Sequence, residues 1–203
     1  MPATSLDDLY SQQLQLLLDA EQQGVDAIPQ LAQAVRDTKL RDALEMHRHQ
    51  SEEHVRRLER LIGARGRPAQ NRECVSIRAL IEETQSTLST IQDPGTIDAY
   101  VIGAQQAIEH HEIASYGTAR SWAQQLGLDD DATALQKTLD EESEADELLT
   151  RIAEDRVNER ATKGDREVRV ARGSEADRSV RDETGHGAGR LTDVDVRRGA
   201  DQR

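Results

Sequence analysis

Aromatic residues are nearly absent from this 203-residue chain, which has no Phe, one Trp and three Tyr. Its core must therefore be built from Leu, Ile, Val and Ala, a composition that suits packed helices. The single cysteine, Cys74, excludes an intrachain disulfide and a Cys₄ or Cys₂His₂ zinc site. Because disulfides are not used, we expect a protein of the reducing cytoplasm.

Long apolar runs and an excess of positive charge are also missing. No stretch approaches the roughly 18 apolar residues of a membrane span, so we expect no membrane association. The N-terminus has neither the charged nor the apolar region of a signal peptide. The net charge is −13, of which about −14 falls on residues 1–157, while residues 158–203 are about neutral. An acidic body repels nucleic acid, and the arginines of the tail are balanced by acids, so nucleic-acid binding is not expected.

Apolar residues recur with helical spacing along most of the chain. Pro29 kinks the first helix or marks its last third. The order long, long, short, long, long predicts an antiparallel four-helix bundle in which the short helix crosses between two hairpins. Residues 158–203 show no sustained apolar period. We predict that they form a disordered tail outside the 1–157 domain, with transient helix at its start as the alternative. The predicted helices span about residues 5–35, 39–62, 75–90, 96–126 and 129–157.

Metal-capable side chains interrupt the apolar stripe of each long helix. Stripes with 3,4 spacing face the core, where leucine is the expected residue. Burying a lone carboxylate lowers the stability of the fold by roughly several kcal/mol or more unless the carboxylate is paired or binds a metal. The six residues that we predict as metal ligands are Glu21, His54, Glu109, Glu112, Glu142 and Asp146.

Counting from the hairpin turns places these residues at a common depth. The first turn centres near residue 37, with Glu21 16 residues before it and His54 17 after it. The second turn centres near residue 128, with Glu112 16 residues before it and Glu142 14 after it. A purely structural bundle does not require this coincidence. A bound cation is the simplest way to hold several carboxylates together, so the pattern predicts a metal site.

At these segments the chain resembles a known family. The segments are LYSQQLQLLLDAEQQ, HRHQSEEHVRRLERL, AQQAIEHHEIASYGTARSWAQQLG and TLDEESEADELL. They are similar to the ferritin-like proteins related to the bacterial YciE and YciF stress proteins, over about residues 5–155. The resemblance implies a dinuclear metal site holding two iron ions, with manganese or zinc as alternatives. It also implies a homodimer and a ferroxidase activity.

Ferritin-like di-iron sites take one Glu from each of two helices and a Glu-x-x-His pair from each of the other two. By position, Glu21 matches the lone Glu of the first helix and His54 the His of the second. Glu109 matches the Glu of the third helix, and Glu112 resembles the extra Glu of rubrerythrin-type sites. Glu142 matches the Glu of the fourth helix.

Two positions depart from that pattern. Ser51 stands where a Glu would precede His54, and Gln50 or His47 are candidates to fill the gap. Ala145 stands where a His would follow Glu142, with Asp146 one place further on.

Other residues on these helices fit either a structural or a functional role. We expect His47 to be a core histidine or to support a ligand. Tyr116 either donates to a carboxylate or quenches an oxidising species; the alternative is simple packing with its hydroxyl satisfied. We predict a solvated helix face with i,i+4 ion pairs for Glu52, Glu53, Arg56, Arg57, Glu59 and Arg60.

Two functions fit the sequence. One is a cytoplasmic di-iron protein with a ferroxidase or peroxide-consuming role in stress. The other is a non-catalytic helical interaction or scaffold protein with a vestigial or zinc-occupied site, which Ser51 and Ala145 favour. Nothing in the sequence specifies a storage shell.

Overall fold

Five helices account for most of the chain in the structure, a computed structural model that describes residues 3–66 and 72–163. Three of them begin at a residue whose side chain caps the helix by accepting a hydrogen bond from a free backbone N–H group. Ser5 accepts from Asp8 N, Asp37 from Leu40 N, and Asp93 from Thr96 N in the helix that starts with proline. The helices are α1 (Leu6–Ala34), α2 (Thr38–Ala64), α3 (Val75–Leu88), α4 (Pro94–Gln125) and α5 (Asp129–Ile152).

Contacts between helix ends fix the directions of the helices. The Tyr10 hydroxyl, at the start of α1, donates to Asp131 Oδ2 at the start of α5, 2.9 Å away. At the other end, the Asp37 N–H donates to Asp98 Oδ2 near the start of α4, 3.0 Å away. Helix α1 is thus antiparallel to both α2 and α4, and α5 is antiparallel to α4 and α2. The predicted four-helix bundle is confirmed.

The short helix α3 returns the chain along the bundle between its two hairpins. Its buried Ile77 packs with Ala20 of α1 and Ile108 of α4. This placement confirms the predicted crossover helix. No helix in the described part of the chain is both long enough and apolar enough to cross a membrane.

Two large apolar clusters lie at opposite ends of the bundle, and the smaller cluster around Ile77 packs α3 against α1 and α4. One contains Ile28, Leu44 and Leu149, and the other contains Leu14 and Leu135. The polar residues predicted to be metal ligands lie on the helix turns between the clusters. The bundle therefore has an apolar core at each end and a polar layer in the middle.

The last helix continues beyond the predicted end of the domain. After α5 the backbone forms a π-helical turn at Ala153–Val157 and then continues as helix over 158–163. Residues 158–163 were predicted to begin the disordered tail. The rest of that tail, residues 164–203, lies outside the described residues.

The Asp37 side chain joins the start of α2 to the continuation of α5 at one end of the bundle. Its buried side chain caps α2 and accepts hydrogen bonds from Arg156 and Arg160, the latter over 2.9 Å. Burial opposes ionisation, but the hydrogen bonds from Leu40 N–H and from Arg156 outweigh it and lower the pKa of the Asp37 carboxyl. Its ionised form is the one that joins the helices.

Replacing Asp37 by alanine is expected to destabilise the protein by about 2–3 kcal/mol, because a helix cap and two ion pairs are lost together. A folded pKa below the unfolded value of about 3.9 means that this contribution is complete at neutral pH. It disappears as pH falls through the lower folded value. Urea denaturation of both proteins at pH 7 and at pH 3–5 measures the difference. Asp26→Ala, on the exposed face of α1, is the matched control and should stay within about 0.5 kcal/mol.

Candidate metal centre

The polar layer brings carboxylates and imidazoles from all four long helices into the centre of the bundle. Helices α1 and α5 contribute one buried Glu each, α2 contributes two His and a Ser, and α4 contributes two Glu. All are almost completely shielded from solvent. These residues are Glu21, His47, Ser51, His54, Glu109, Glu112 and Glu142.

One group of possible ligands joins α1, α2 and α5. Glu21, His54 and Glu142 each offer a ligand atom, and these atoms all lie within 4.8 Å of one another. His54 Nδ1 is 3.1 Å from Glu21 Oε1 and 2.9 Å from Glu142 Oε1. The Tyr116 hydroxyl donates to Glu21 Oε1 over 2.6 Å, so of its two predicted roles Tyr116 at least fills that of carboxylate donor.

A second group lies next to the first and shares one residue with it. His47, Glu109, Glu112 and Glu142 also have ligand atoms within 4.8 Å of one another. His47 Nε2 is 3.1 Å from Glu109 Oε1 and 3.8 Å from Glu142 Oε2. Since Oε1 of Glu142 faces His54 and Oε2 faces His47, the two oxygens of one carboxylate point to different groups.

Several of these oxygens have no hydrogen-bond donor in the described part of the chain. They are Glu21 Oε2, Glu109 Oε2 and both oxygens of Glu142, although His54 Nδ1 lies 2.9 Å from Glu142 Oε1. Buried acceptors without partners are costly unless a cation satisfies them. Carboxylate oxygen and imidazole nitrogen are donors that suit iron, manganese and zinc. These buried His and Glu groups can therefore hold a metal ion.

Each carboxylate of the layer makes ionisation of its neighbours less favourable. Burial, followed by the charges of Glu109 and Glu21, raises the pKa of Glu142 well above its ordinary value. Burial, followed by Glu21 and Glu109, does the same to the pKa of Glu112. Burial and the charge of Glu21 also raise the pKa of Tyr116, which keeps its proton. A cation in the layer would reverse this balance by favouring the carboxylates as anions.

The far side of His54 contacts a residue that the sequence reasoning missed. His54 Nε2 is 3.1 Å from Glu141 Oε2, which also accepts from Arg57 over 2.9 Å. The prediction that Arg57 belongs to a solvated face is wrong: its side chain is only 11% exposed, because it reaches Thr138 and Glu141 on α5. Burial opposes ionisation of Glu141, but the Arg57 hydrogen bond outweighs it and lowers the pKa of that carboxyl.

Five of the six predicted ligands meet in the layer, and Asp146 does not belong to either group. Asp146 Oδ1 accepts from Gln106 Nε2 at 3.0 Å and lies 3.4 Å from His110 Nε2. Four residues after Glu142, it is rotated by about 40° around the helix, toward α4. Its carboxylate therefore contacts side chains of α4 at the edge of the α4–α5 interface.

His47 takes a place in the layer that the sequence reasoning left open. It was expected to be a core or supporting histidine, with a role as replacement ligand as the alternative. The structure puts its Nε2 among the carboxylates, while the small Ser51 places its hydroxyl 3.5 Å from that nitrogen. Gln50 is only half-buried and is not one of the fully buried residues of the layer. The signal was present in the sequence, because His47 and His54 are seven residues, two helical turns, apart.

Fold and site together define a class: an all-α, ferritin-like four-helix bundle with a buried carboxylate–histidine layer that can hold metal. Residues 5–162 match the family described as a domain of unknown function, DUF892, and the chain belongs to that family.

Known relatives share both sequence and structure with the bundle. Protein YciF of Escherichia coli strain K12 is 33% identical over 162 residues, which are 79% of this chain and 98% of that protein. The crystal structure of the E. coli stress protein YciF superimposes with a TM-score of 0.73 at 32% identity, over 77% of this chain and 99% of that one. YcfI from Rhodopseudomonas palustris gives a TM-score of 0.70 at 32% identity, covering 72% and 94%.

Proposed function

We propose that this protein binds two iron ions in its polar layer and oxidises Fe²⁺ with a small oxidant, as a ferroxidase-type protein. The observation that carries the proposal is Glu142, a buried carboxylate. Neither of its oxygens accepts a hydrogen bond among the described residues, and each faces a different His. Such a carboxylate suits two neighbouring cations. A relative described as a stress protein supports a place in the stress response.

The two groups divide the ligands between the two ions. Glu21, His54 and Glu142 would hold one, and His47, Glu109, Glu112 and Glu142 the other. Iron would supply the electrons, and the protein would supply the ligands and a site shielded from water. The apolar clusters on either side keep bulk water from the layer, and the Tyr116 hydroxyl orients Glu21. Asp146 is left out of this ligand set.

Iron binding and oxidation are measurable separately. Anaerobic titration of metal-free protein with Fe²⁺ should saturate at two ions per chain, one for each group. Addition of air or peroxide should then produce a near-ultraviolet absorbance band. Glu109→Ala should lower the stoichiometry and abolish the band, since it removes a ligand of the second group. Glu147→Ala, an exposed acid on α5, should behave as wild type. Saturation without any oxidant-dependent band would contradict the ferroxidase activity.

Glu141 is expected to position His54 as a ligand. With Nε2–H donating to Glu141, Nδ1 is left to face Glu21 and Glu142, which is how outer carboxylates fix a metal-binding tautomer. Glu141→Gln should weaken metal binding at the His54 group by about 10–100-fold while leaving the fold intact. Competition with a coloured chelator measures the affinity. Glu144→Gln, exposed on the same helix, is the control, and equal affinities for the two variants would refute this role.

A second candidate is a non-catalytic interaction or scaffold protein that holds zinc or no metal. Ser51 and Ala145 favour it, because both occupy ligand positions of the ferritin-like pattern and neither offers a metal ligand there. Elemental analysis of protein purified without added metal separates the candidates. Less than about one metal per chain, or zinc alone, would favour the scaffold.

The assembly and location of the protein also belong to the proposal. The resemblance implies a homodimer, and the single buried cysteine agrees with a cytoplasmic location. Light scattering coupled to size-exclusion chromatography gives the mass in solution. A mass of one chain at micromolar concentration would exclude a stable dimer.

A further inference from the structure

A cavity of about 330 Å³ opens where α1, α4 and the start of α3 meet. Part of its lining is exposed to solvent, including Glu73 and Val75. Its most deeply buried lining residues are Leu17, Ala20 and Cys74. The cavity therefore connects solvent with the interior, and its volume lies at the low end of the roughly 300–1,000 Å³ of small-molecule pockets. We call it the Cys74 cavity.

The sulfur of Cys74 lies beside two polar side chains that also line this cavity. Cys74 Sγ is 3.3 Å from Ser76 Oγ and 3.8 Å from His111 Nε2. The same nitrogen of His111 is 3.1 Å from Ser76 Oγ, so the three atoms form a small triangle that joins α3 to α4. A cysteine that serves only as a small apolar core residue does not need such neighbours.

Helix α1 holds the backbone of Cys74 in place. The Cys74 N–H donates to Asp19 Oδ2 over 2.7 Å, and Gln23 Nε2 donates to the Cys74 carbonyl over 3.3 Å. Cys74 is also the N-cap residue of α3, and its side chain makes no capping hydrogen bond to that helix. The N-terminal end of a helix favours negative charge, which is the charge that a sulfur nucleophile carries. This position therefore suits a thiol that reacts.

We propose that Cys74 is a modification site at which a low-molecular-weight disulfide forms a mixed disulfide with the protein. The site lies outside the polar layer, and its reaction does not depend on bound metal. In the step, Cys74 Sγ forms a bond to one sulfur of the small disulfide, and the bond between that molecule's two sulfurs breaks. The departing sulfur takes up the proton that the Cys74 thiol loses, so one small thiol is released and no other oxidant is needed.

The lining indicates the kind of disulfide that fits. Leu16 and Ala20 contribute an apolar wall from α1. The Glu73 carboxylate near the opening lies 2.6 Å from Arg78 Nε, so its charge is paired. A disulfide with short, uncharged arms matches these walls. Because Cys74 is only 5% exposed, we expect a disulfide carried by a folded protein to be excluded.

The rate of thiol–disulfide exchange tests this site, because an inert buried cysteine and a reactive one respond in opposite ways to unfolding. Reduced full-length protein is mixed with 2-hydroxyethyl disulfide under nitrogen, and intact-mass spectrometry follows the adduct. Cys74 should react at least about tenfold faster in the folded protein than in the same chain unfolded in urea. N-acetylcysteine at both urea concentrations corrects for the solvent.

The product identifies the residue. We expect one adduct per chain, reversed by dithiothreitol and absent from Cys74→Ser. Exchange that is slower in the folded protein than in the unfolded chain would overturn the modification site, since Cys74 would then be an ordinary buried thiol.

Variants of the lining test the cavity as the route to the sulfur. Ser115→Leu, on the α4 side, should fill part of the cavity and slow exchange in the folded protein by about tenfold. Ala114→Leu adds the same bulk at the neighbouring exposed position and should leave the rate unchanged. If Ser115→Leu loses helical content by circular dichroism, Ser115→Val provides the smaller filling. An unchanged rate in the folded Ser115 variant would overturn the cavity as the binding site.

A second oxidant tests the class of ligand. Oxidised protein disulfide isomerase carries its disulfide in a folded domain and should react with Cys74 at least about tenfold more slowly than 2-hydroxyethyl disulfide. A faster reaction with this protein would overturn the assignment of a small disulfide.

Discussion

Glu142→Gln is expected to weaken metal binding at both positions by at least about 100-fold, the largest effect of any single change in this protein. Glu142 belongs to both groups of ligand atoms, and its two oxygens face different histidines. The amide has nearly the same shape but no charge, so the cations lose their shared anion. By contrast, Glu21→Gln removes a ligand from the first group alone. Isothermal titration with Fe²⁺ or Co²⁺ under nitrogen measures both stoichiometry and affinity.

The same substitution should act in the opposite direction on the metal-free protein. Burial beside Glu109 and Glu21 makes the ionised Glu142 costly, as its raised pKa indicates. A neutral side chain relieves that cost and should raise the free energy of unfolding by about 1–3 kcal/mol. Glu144→Gln, exposed on the same helix, should change neither property. A metal-free Glu142→Gln protein that is less stable than wild type would show that the carboxylate is not held against repulsion.

Removing the metal from wild-type protein is expected to lower its thermal midpoint by about 10–20 °C. Each site filled at 100 times its Kd contributes about 2.7 kcal/mol, because the ion binds the folded chain and not the unfolded one. Two such sites give about 5 kcal/mol, and each kcal/mol shifts Tm by about 2–4 °C in a chain of this size. Differential scanning calorimetry with and without a chelator measures the shift, and added metal should restore it.

The Glu142→Gln variant supplies the control for this experiment. Its Tm should be almost indifferent to the chelator, because both positions are impaired. If wild-type protein and variant lose the same number of degrees, the chelator acts elsewhere. The result would then argue against the polar layer as the source of the stabilisation.

The bundle and the depth of its polar layer could be predicted from the sequence, because both depend on patterns that repeat over many residues. The 3,4 spacing gives the buried stripe of each helix, and equal distances from a turn bring Glu21 opposite His54. Ser5, Asp37 and Asp93 mark helix starts by their capping chemistry. These features tolerate errors of a residue or two.

Which side chains enter the layer depends on small differences in angle around each helix axis, and the spacing of residues in the sequence does not resolve them. Ala145 and Asp146 follow Glu142 by three and four residues, about 60° to one side and 40° to the other, so both are near the stripe. Only the packing of α4 shows that Asp146 reaches Gln106. The pairing of Arg57 with Glu141 is likewise hidden, because it joins α2 to α5, which are not neighbours in the chain. The ferritin-like pattern expects a Glu at the position of Ser51, whereas the imidazole in the layer comes from His47, one helical turn earlier.

The division of the core into two apolar clusters reverses the usual distribution of local stability along a helix. Ordinary helices are held in their middle and fray at their ends. Here each long helix is anchored by apolar packing near both ends and crosses mutually repelling carboxylates at its midpoint. Without cations, we therefore expect backbone amides near the polar layer to exchange faster than those packed within either cluster. If the proposed metal binding holds, we expect bound metal to slow this exchange by joining the four helices at their midpoints.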